Sequence, residues 1–171
     1  MQSHIVFTFM APDKPGLLET LAAAVSRHGG SWLESKLARL GGQFTGIVRA
    51  AVPADKGAAL RAELESLRND HFVISLHAEE ADATEKPRSL RSVEVLGNDR
   101  PGIVHELSRA FSKWDINVEQ LNSEIRSAPM SAERLFEAEV DIAIPADLNS
   151  EQFEDELEQI ANELDLDIGL K

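Results

Sequence analysis

One short segment occurs twice in the 171-residue sequence, and this repeat constrains the fold more than any other feature. Residues 13–18 read Asp-Lys-Pro-Gly-Leu-Leu, and residues 99–104, at an offset of 86, read Asp-Arg-Pro-Gly-Ile-Val. The two copies continue to match without a gap as far as Trp32 and Val118. A chain that repeats itself at a fixed spacing uses one structural unit more than once. We therefore expect two units of the same fold.

Each copy follows the same predicted order of strands and helices. A short alternating strand, at about residues 4–9 and 91–96, precedes the Pro-Gly turn. A helix follows, and its apolar residues recur at the spacing of one buried face. Two further strands, a second helix and a short last strand complete each copy. The middle strands are predicted at about residues 31–40, 43–52, 116–126 and 134–144.

The order βαββαβ, found twice, predicts an α+β protein with two ferredoxin-like units in tandem. In this fold a four-stranded antiparallel sheet carries two helices on one face. We predict a first domain at residues 1–80, a polar linker at 81–88 and a second domain at 89–171. Because a unit of about 80 residues buries only a modest core, we expect the halves to pack together or the chain to form a homo-oligomer.

Composition excludes several classes of function. Thirty Asp and Glu against 17 Lys and Arg give a formal net charge of −13, which opposes binding to phosphate backbones, so we predict no direct nucleic-acid partner. The absence of cysteine excludes disulfides, thiolate metal sites and Cys nucleophiles. Since the sequence shows no secretory leader pattern and no apolar run of about 20 residues, we expect no membrane partner and a cytoplasmic location.

The sequence also lacks the usual signatures of catalysis. Its five histidines have no metal-ligand spacing, and neither a phosphate-binding Gly-rich loop nor Gly-x-Ser-x-Gly is present. We predict a protein that is not an enzyme and has no cofactor or metal site. Ferredoxin-like folds also bind RNA, but through aromatic residues on a basic sheet. Here the sheet carries Glu137, Glu139 and Asp141, and we expect Trp114 to pack in the core.

The repeated turn has features that suit the binding of a small ligand. Gly16 and Gly102 would let the backbone approach a partner closely, and the helix N-terminus that follows offers N–H groups suited to a carboxylate. Asp13 or Asp99 would then face an ammonium group, so that an amino acid would satisfy both ends. The alternative is purely structural, with Asp as an ordinary helix cap and Pro-Gly as an ordinary turn. The residues alone leave both interpretations open.

A βαββαβ unit with Asp-x-Pro-Gly at its first strand–helix turn resembles the ACT domain, a small-molecule regulatory module. Two copies with little else in the chain resemble the glycine cleavage system transcriptional repressor family of tandem ACT proteins. Residues 29–45 are similar to that family's first hairpin, and Asp115-Ile116-Asn117-Val118 to its second. The resemblance covers essentially the whole chain.

This resemblance implies regulation without catalysis, by a small amino acid bound at the strand–helix turn, often across an interface between two units. Glycine and serine are the first candidates. It also implies a LysR-type DNA-binding activator as the protein partner. The first copy has Ser31 where the second copy, like many ligand-binding ACT units, has Asn. The implied ligand-binding residues are Asp13, Gly16, Leu17, Ser31, Asn98, Asp99, Gly102, Ile103 and Asn117.

Two alternatives share this fold. In one, the ACT units bind no ligand and serve only as interaction or dimerisation surfaces. In the other, the protein regulates a metabolic enzyme in trans, through the same sites. The sequence leaves both open.

Overall fold

A computed structural model describes residues 1–77, 88–127 and 133–171 of the chain. The chain divides into two compact units, Met1–Ala83 and Thr84–Lys171, each with its own sheet and core. The predicted linker at 81–88 lies outside the described residues except for Arg88, which begins a strand. The domain limits 1–80 and 89–171 stay a prediction.

The described residues of the first unit form four strands, two α-helices and one 3-10 turn. They are β1 (Gln2–Pro12), α1 (Leu17–Arg27), β2 (Ser31–Leu40), β3 (Gln43–Pro53), the 3-10 turn Ala54–Lys56, α2 (Gly57–Ser66) and β4 (Val73–His77). The sheet order is β2-β3-β1-β4, and every pair of neighbours is antiparallel.

The second unit repeats this arrangement. Its elements are β5 (Arg88–Asn98), α3 (Ile103–Lys113), β6 (Asn117–Ser127), β7 (Arg134–Pro145), α4 (Ser150–Leu164) and β8 (Leu166–Leu170). The sheet order is β6-β7-β5-β8, again antiparallel throughout. Both units are therefore βαββαβ, and the predicted α+β, ferredoxin-like fold is confirmed.

The first strand of each unit is longer than its apolar alternation predicts. β1 pairs with β3 along its whole length, from Gln2 opposite Pro53 to Pro12 opposite Gln43. β5 pairs with β7 in the same way, from Arg88 to Asn98. The backbone ladder extends each central strand beyond the residues that face the core.

Each core lies between the helices and one face of the sheet. In the first unit, odd-numbered residues of β1 such as Phe7 are buried with Leu21 of α1 and Leu60 of α2. In the second unit, Val93 of β5 is buried with residues of α3 and α4. As predicted, Trp114 packs against this core. Among the helices that the structure describes, none is long and apolar enough to cross a membrane.

Candidate functional site

The two Pro-Gly turns have the same geometry. Gly16 has a φ of 92° and Gly102 a φ of 101°, a left-handed conformation that L side chains rarely adopt. Each glycine is the N-cap of the helix that follows. Their carbonyls accept hydrogen bonds of 2.9 Å from the N–H groups of Thr20 and Glu106. Because a Cβ built on either glycine would meet no atom within 4 Å, the space beside each turn is open.

In the described part of the chain, no side chain caps the N-terminus of α1 or α3. The alternative prediction, in which Asp13 and Asp99 are ordinary helix caps, is therefore wrong, since the cap residue is the glycine three positions later. α4 shows the contrast, because the Asn149 side chain accepts a hydrogen bond from the Gln152 N–H. The first-turn N–H groups of α1 and α3 remain without a side-chain acceptor among the described residues.

Each turn aspartate is anchored to the hairpin of its own unit. Asp13 donates its N–H to the Gly42 carbonyl at 2.9 Å, and its Oδ2 lies 2.6 Å from Arg39 Nε. Asp99 donates its N–H to the Arg134 carbonyl at 2.8 Å, and its Oδ2 lies 3.2 Å from Arg134 Nη2. The carboxylates stay partly accessible, with 33% and 28% of their side-chain surface exposed.

Sequence reasoning missed these arginines as parts of the site. Arg39 lies on β2, whereas Arg134 begins β7, so the two cations do not occupy equivalent positions in the repeat. Comparison of the two copies therefore gives no signal for them. The expectation that Asp13 or Asp99 faces a ligand ammonium is modified, because a cation of the protein already lies beside each carboxylate.

Three further predicted residues lie beside the turns. Leu17 begins α1 and packs partly buried against the first core. Ile103 begins α3 and is only 2% exposed, so its backbone rather than its side chain is available to a ligand. Asn98 ends β5, opposite Leu135 of β7.

Ser31 and Asn117 lie at the other end of their sheets. Ser31 pairs with Ala51, which pairs with His4 near the start of β1, whereas the turn follows the end of that strand. Eight residues of β1 separate the two levels, and at about 3.3 Å per residue this is roughly 25 Å. Asn117 starts β6 in the same way, and its side chain donates to Glu119 Oε1 at 2.6 Å. One unit does not bring its turn and its Ser31 or Asn117 together.

The two carboxyl groups with shifted pKa values lie away from the turns, whereas Arg126, whose pKa is raised by its hydrogen bond with Glu124, lies on β6 opposite Leu135 at the turn end of the second sheet. The pKa of Glu63 on α2 and that of Glu156 on α4 are both lowered, through contacts with the preceding helix of each unit. Within residues 1–77, 88–127 and 133–171, no group of three His, Asp or Glu side chains is arranged to hold a metal ion. The turns therefore offer backbone donors, a carboxylate and an arginine.

Comparison with known proteins agrees with this geometry. Residues 3–75 match the model of the ACT domain family. The glycine cleavage system transcriptional repressors of Escherichia coli strain K12 and of Shigella flexneri are each 25% identical over 167 residues, which is 95% of this chain and 86% of the relative.

Solved structures extend the likeness to the full length of the chain. A protein of unknown function from Galdieria sulphuraria superposes with a TM-score of 0.88 at 26% identity, over 100% of this chain and 98% of that one. A candidate glycine cleavage system transcriptional repressor superposes with a TM-score of 0.69 at 18% identity, over 100% and 97%, which supports the fold alone. The resemblance to tandem ACT-domain proteins is confirmed.

Proposed function

We propose that this tandem ACT-domain protein is an amino-acid-responsive regulator that acts on transcription through contact with a DNA-binding activator, without catalysis. The observation that carries the proposal is the glycine-started helix with no side-chain cap, which occurs at the same place in both units. Similarity to two proteins named as transcriptional repressors, along 95% of the chain, supports the regulatory part.

The carboxylate of the ligand would bind at the first turn of α1 or α3. A helix N-terminus carries unpaired N–H groups and the positive end of the helix dipole, so it favours an anion. At Gly16 and Gly102 no Cβ stands in the way, and the space beside the backbone is open. These features support a small ligand whose carboxylate contacts the backbone directly.

The ammonium group of the ligand would bind the turn aspartate. In Asp13 and Asp99 the arginine contact is made by Oδ2, which leaves Oδ1 as the acceptor for a ligand. The arginine then orients the carboxylate. Glycine and serine fit this arrangement best, because a turn built mainly of backbone offers few side chains that could recognise a large ligand side chain.

The effect on transcription would pass through a protein partner. A net charge of −13 opposes direct contact with DNA, so the regulator would act on a LysR-type activator that holds the DNA itself. The ligand changes this contact only if it binds one conformation or assembly better than another. A homo-oligomer is part of the proposal, since each unit is small.

A thermal-shift screen against the twenty amino acids, with glycine and serine first, tests the ligand. A ligand present at about 100 times its Kd adds about 2.7 kcal/mol of stability, which raises Tm by several degrees. Gly16→Ala and Gly102→Ala place a Cβ at the turns, and Gly29→Ala is the matched control. Gly29 also has a positive φ, of 67°, but lies beyond the C-terminal end of α1.

We expect a shift in Tm that survives in Gly29→Ala and is reduced or lost in at least one turn variant. A screen in which no amino acid changes Tm would favour the alternative of a ligand-free interaction module. Co-purification with LysR-type activators tests the protein partner, and a gel shift with the DNA site of such an activator tests direct DNA binding. Retardation of DNA by this protein alone would contradict regulation by contact, and co-purification with a metabolic enzyme would favour that alternative.

A further inference from the structure

A cavity of about 180 Å³ opens in the second unit, between the start of β5, the end of β7 and the start of α4. Its apolar lining includes the buried side chains of Phe153 and Ile144. β5 starts at this cavity and ends beside the Gly102 turn. The cavity therefore lies at the opposite end of the unit from the site proposed above. Its polar lining consists of Ser89, Arg91, Ser150 and Glu154.

The first unit shows that the fold does not require a charge at this place. By the repeat, Arg91 is equivalent to Ile5, which is fully buried in the first core. Ser89 is equivalent to Ser3, and Ser3 lies against Gly57 at the start of α2, where an added Cβ would be 3.2 Å from the Ser3 Oγ. In the second unit the corresponding helix begins with Ser150 and the space is open.

The two charged residues that line the cavity, Arg91 and Glu154, do not form an ion pair with each other. The Arg91 guanidinium forms no hydrogen bond or ion pair with another described residue, including Glu154. The Arg91 and Glu154 side chains are exposed, so solvent satisfies the Arg91 donors until an anion takes its place. The fork of an arginine matches the two oxygens of a carboxylate. An acceptor for a positive group, Glu154, lines the same cavity.

We propose that this cavity binds a small zwitterion of the amino-acid type. Arg91 would hold its carboxylate, Glu154 its ammonium group, and the hydroxyls of Ser89 and Ser150 would complete the polar contacts. A volume of about 180 Å³ is below the range of about 300–1,000 Å³ typical of drug-sized ligands, so the ligand has few heavy atoms. Glu154 disfavours dianions such as phosphate. Side chains and not the N-terminus of α4 would hold the ligand, because the Asn149 side chain already caps that helix.

NMR titration of the ¹⁵N-labelled full-length protein tests this site separately from the turns. The probes are glycine, acetate, which has the carboxylate alone, and methylammonium, which has the cation alone. Saturable shifts of the Ser89, Leu148 and Ser150 amides with glycine would support the proposal. Arg91→Gln should weaken glycine binding about tenfold or more. Glu154→Gln should bring the affinity for glycine down to that for acetate.

Arg109→Gln is the matched control, because it removes an arginine from α3 that pairs with Glu106 instead of lining the cavity. It should leave the shifts unchanged, and circular dichroism checks that every variant is folded. Cavity amides that stay still up to about 50 mM glycine, or shifts that persist in Arg91→Gln, would overturn the proposal. Shifts at the Gly16 or Gly102 turn alone would overturn the cavity site and support the proposed function. Shifts at the cavity alone would support the cavity site and contradict ligand binding at the turns.

Discussion

His28 and Trp114 occupy equivalent positions at the ends of α1 and α3, and each ring N–H contacts a glutamate on the second helix of its unit. His28 Nε2 lies 2.7 Å from Glu63 Oε2, and Trp114 Nε1 donates to Glu156 Oε2. The residue before each ring is a cation that pairs with the same carboxylate, Arg27 with Glu63 and Lys113 with Glu156. The two units thus tie their helices together with the same contact, made from different residues.

These contacts make the free energy of unfolding of both units depend on pH. The hydrogen bond from Arg27 lowers the pKa of Glu63, against burial, and His28 adds to the effect. Burial raises the pKa of Glu156, but the hydrogen bonds from Lys113 and Trp114 together outweigh it, so the pKa is lowered. Both pKa values fall below the ordinary 4.5. The stabilisation is therefore present above that pH and is lost as the pH falls through the folded-state pKa.

We predict that Glu63→Gln and Glu156→Gln each lower the free energy of unfolding by about 1 kcal/mol at pH 7, since each weakens charged hydrogen bonds between helices. Urea unfolding at pH 7 and at pH 3.5 checks this. The loss should shrink at pH 3.5, because below the ordinary pKa of 4.5 the unfolded chain binds protons at these glutamates more readily than the folded protein does. An equal loss at both pH values would show that the charge of these carboxylates is not what stabilises the helix pair.

Trp114→Phe separates the indole N–H from the packing of the ring. Phenylalanine keeps an aromatic contact with Phe153, whose ring centroid lies 6.5 Å from that of Trp114, but it cannot donate to Glu156. We predict a loss of about 1 kcal/mol in urea unfolding. Trp32→Phe is the control, because Trp32 contacts the Phe7 ring edge-on and no hydrogen bond of its indole is seen among the described residues. Equal losses in both variants would assign the effect to ring size.

Gly97→Ala should detach the last strand of the second unit. A Cβ at Gly97 would lie 2.6 Å from Leu166 Cδ2 and 2.8 Å from the Asp165 carbonyl, which is part of the backbone. We expect a loss of about 1–3 kcal/mol of unfolding free energy, typical of overpacking. Gly169→Ala in β8 is the matched control, because a Cβ there meets no atom within 4 Å. Hydrogen exchange of β8 amides should accelerate only in Gly97→Ala, and unchanged protection would contradict the steric argument.

Asp13→Asn and Arg39→Gln divide the roles of the ion pair at the first turn. The pair is exposed, so each substitution should change unfolding free energy by less than about 1 kcal/mol. Asp13→Asn should weaken amino-acid binding about tenfold if Asp13 receives the ammonium group. Arg39→Gln should weaken it less, because the carboxylate remains. Calorimetric titration of both variants checks this, and equal weakening would give the arginine a direct role in binding.

The fold could be predicted from the sequence because the repeat and the apolar spacing carry it. The short last strand expected in each copy also forms in the second unit, as β8, held by its ladder to β5. The site was only partly predictable. The left-handed glycines follow from the motif, but Arg39 and Arg134 reach the aspartates from different strands. The cavity at Arg91 depends on where α4 begins, which is a matter of tertiary packing.

Isothermal titration of glycine and serine into the full-length protein tests whether the Pro-Gly turns bind an amino acid. We predict saturable binding whose stoichiometry is unchanged in Gly29→Ala and falls in Gly16→Ala, in Gly102→Ala or in both. Saturable binding that is unchanged in both turn variants would place the ligand elsewhere. The absence of saturable binding of any of the twenty amino acids to the folded protein would contradict amino-acid sensing itself.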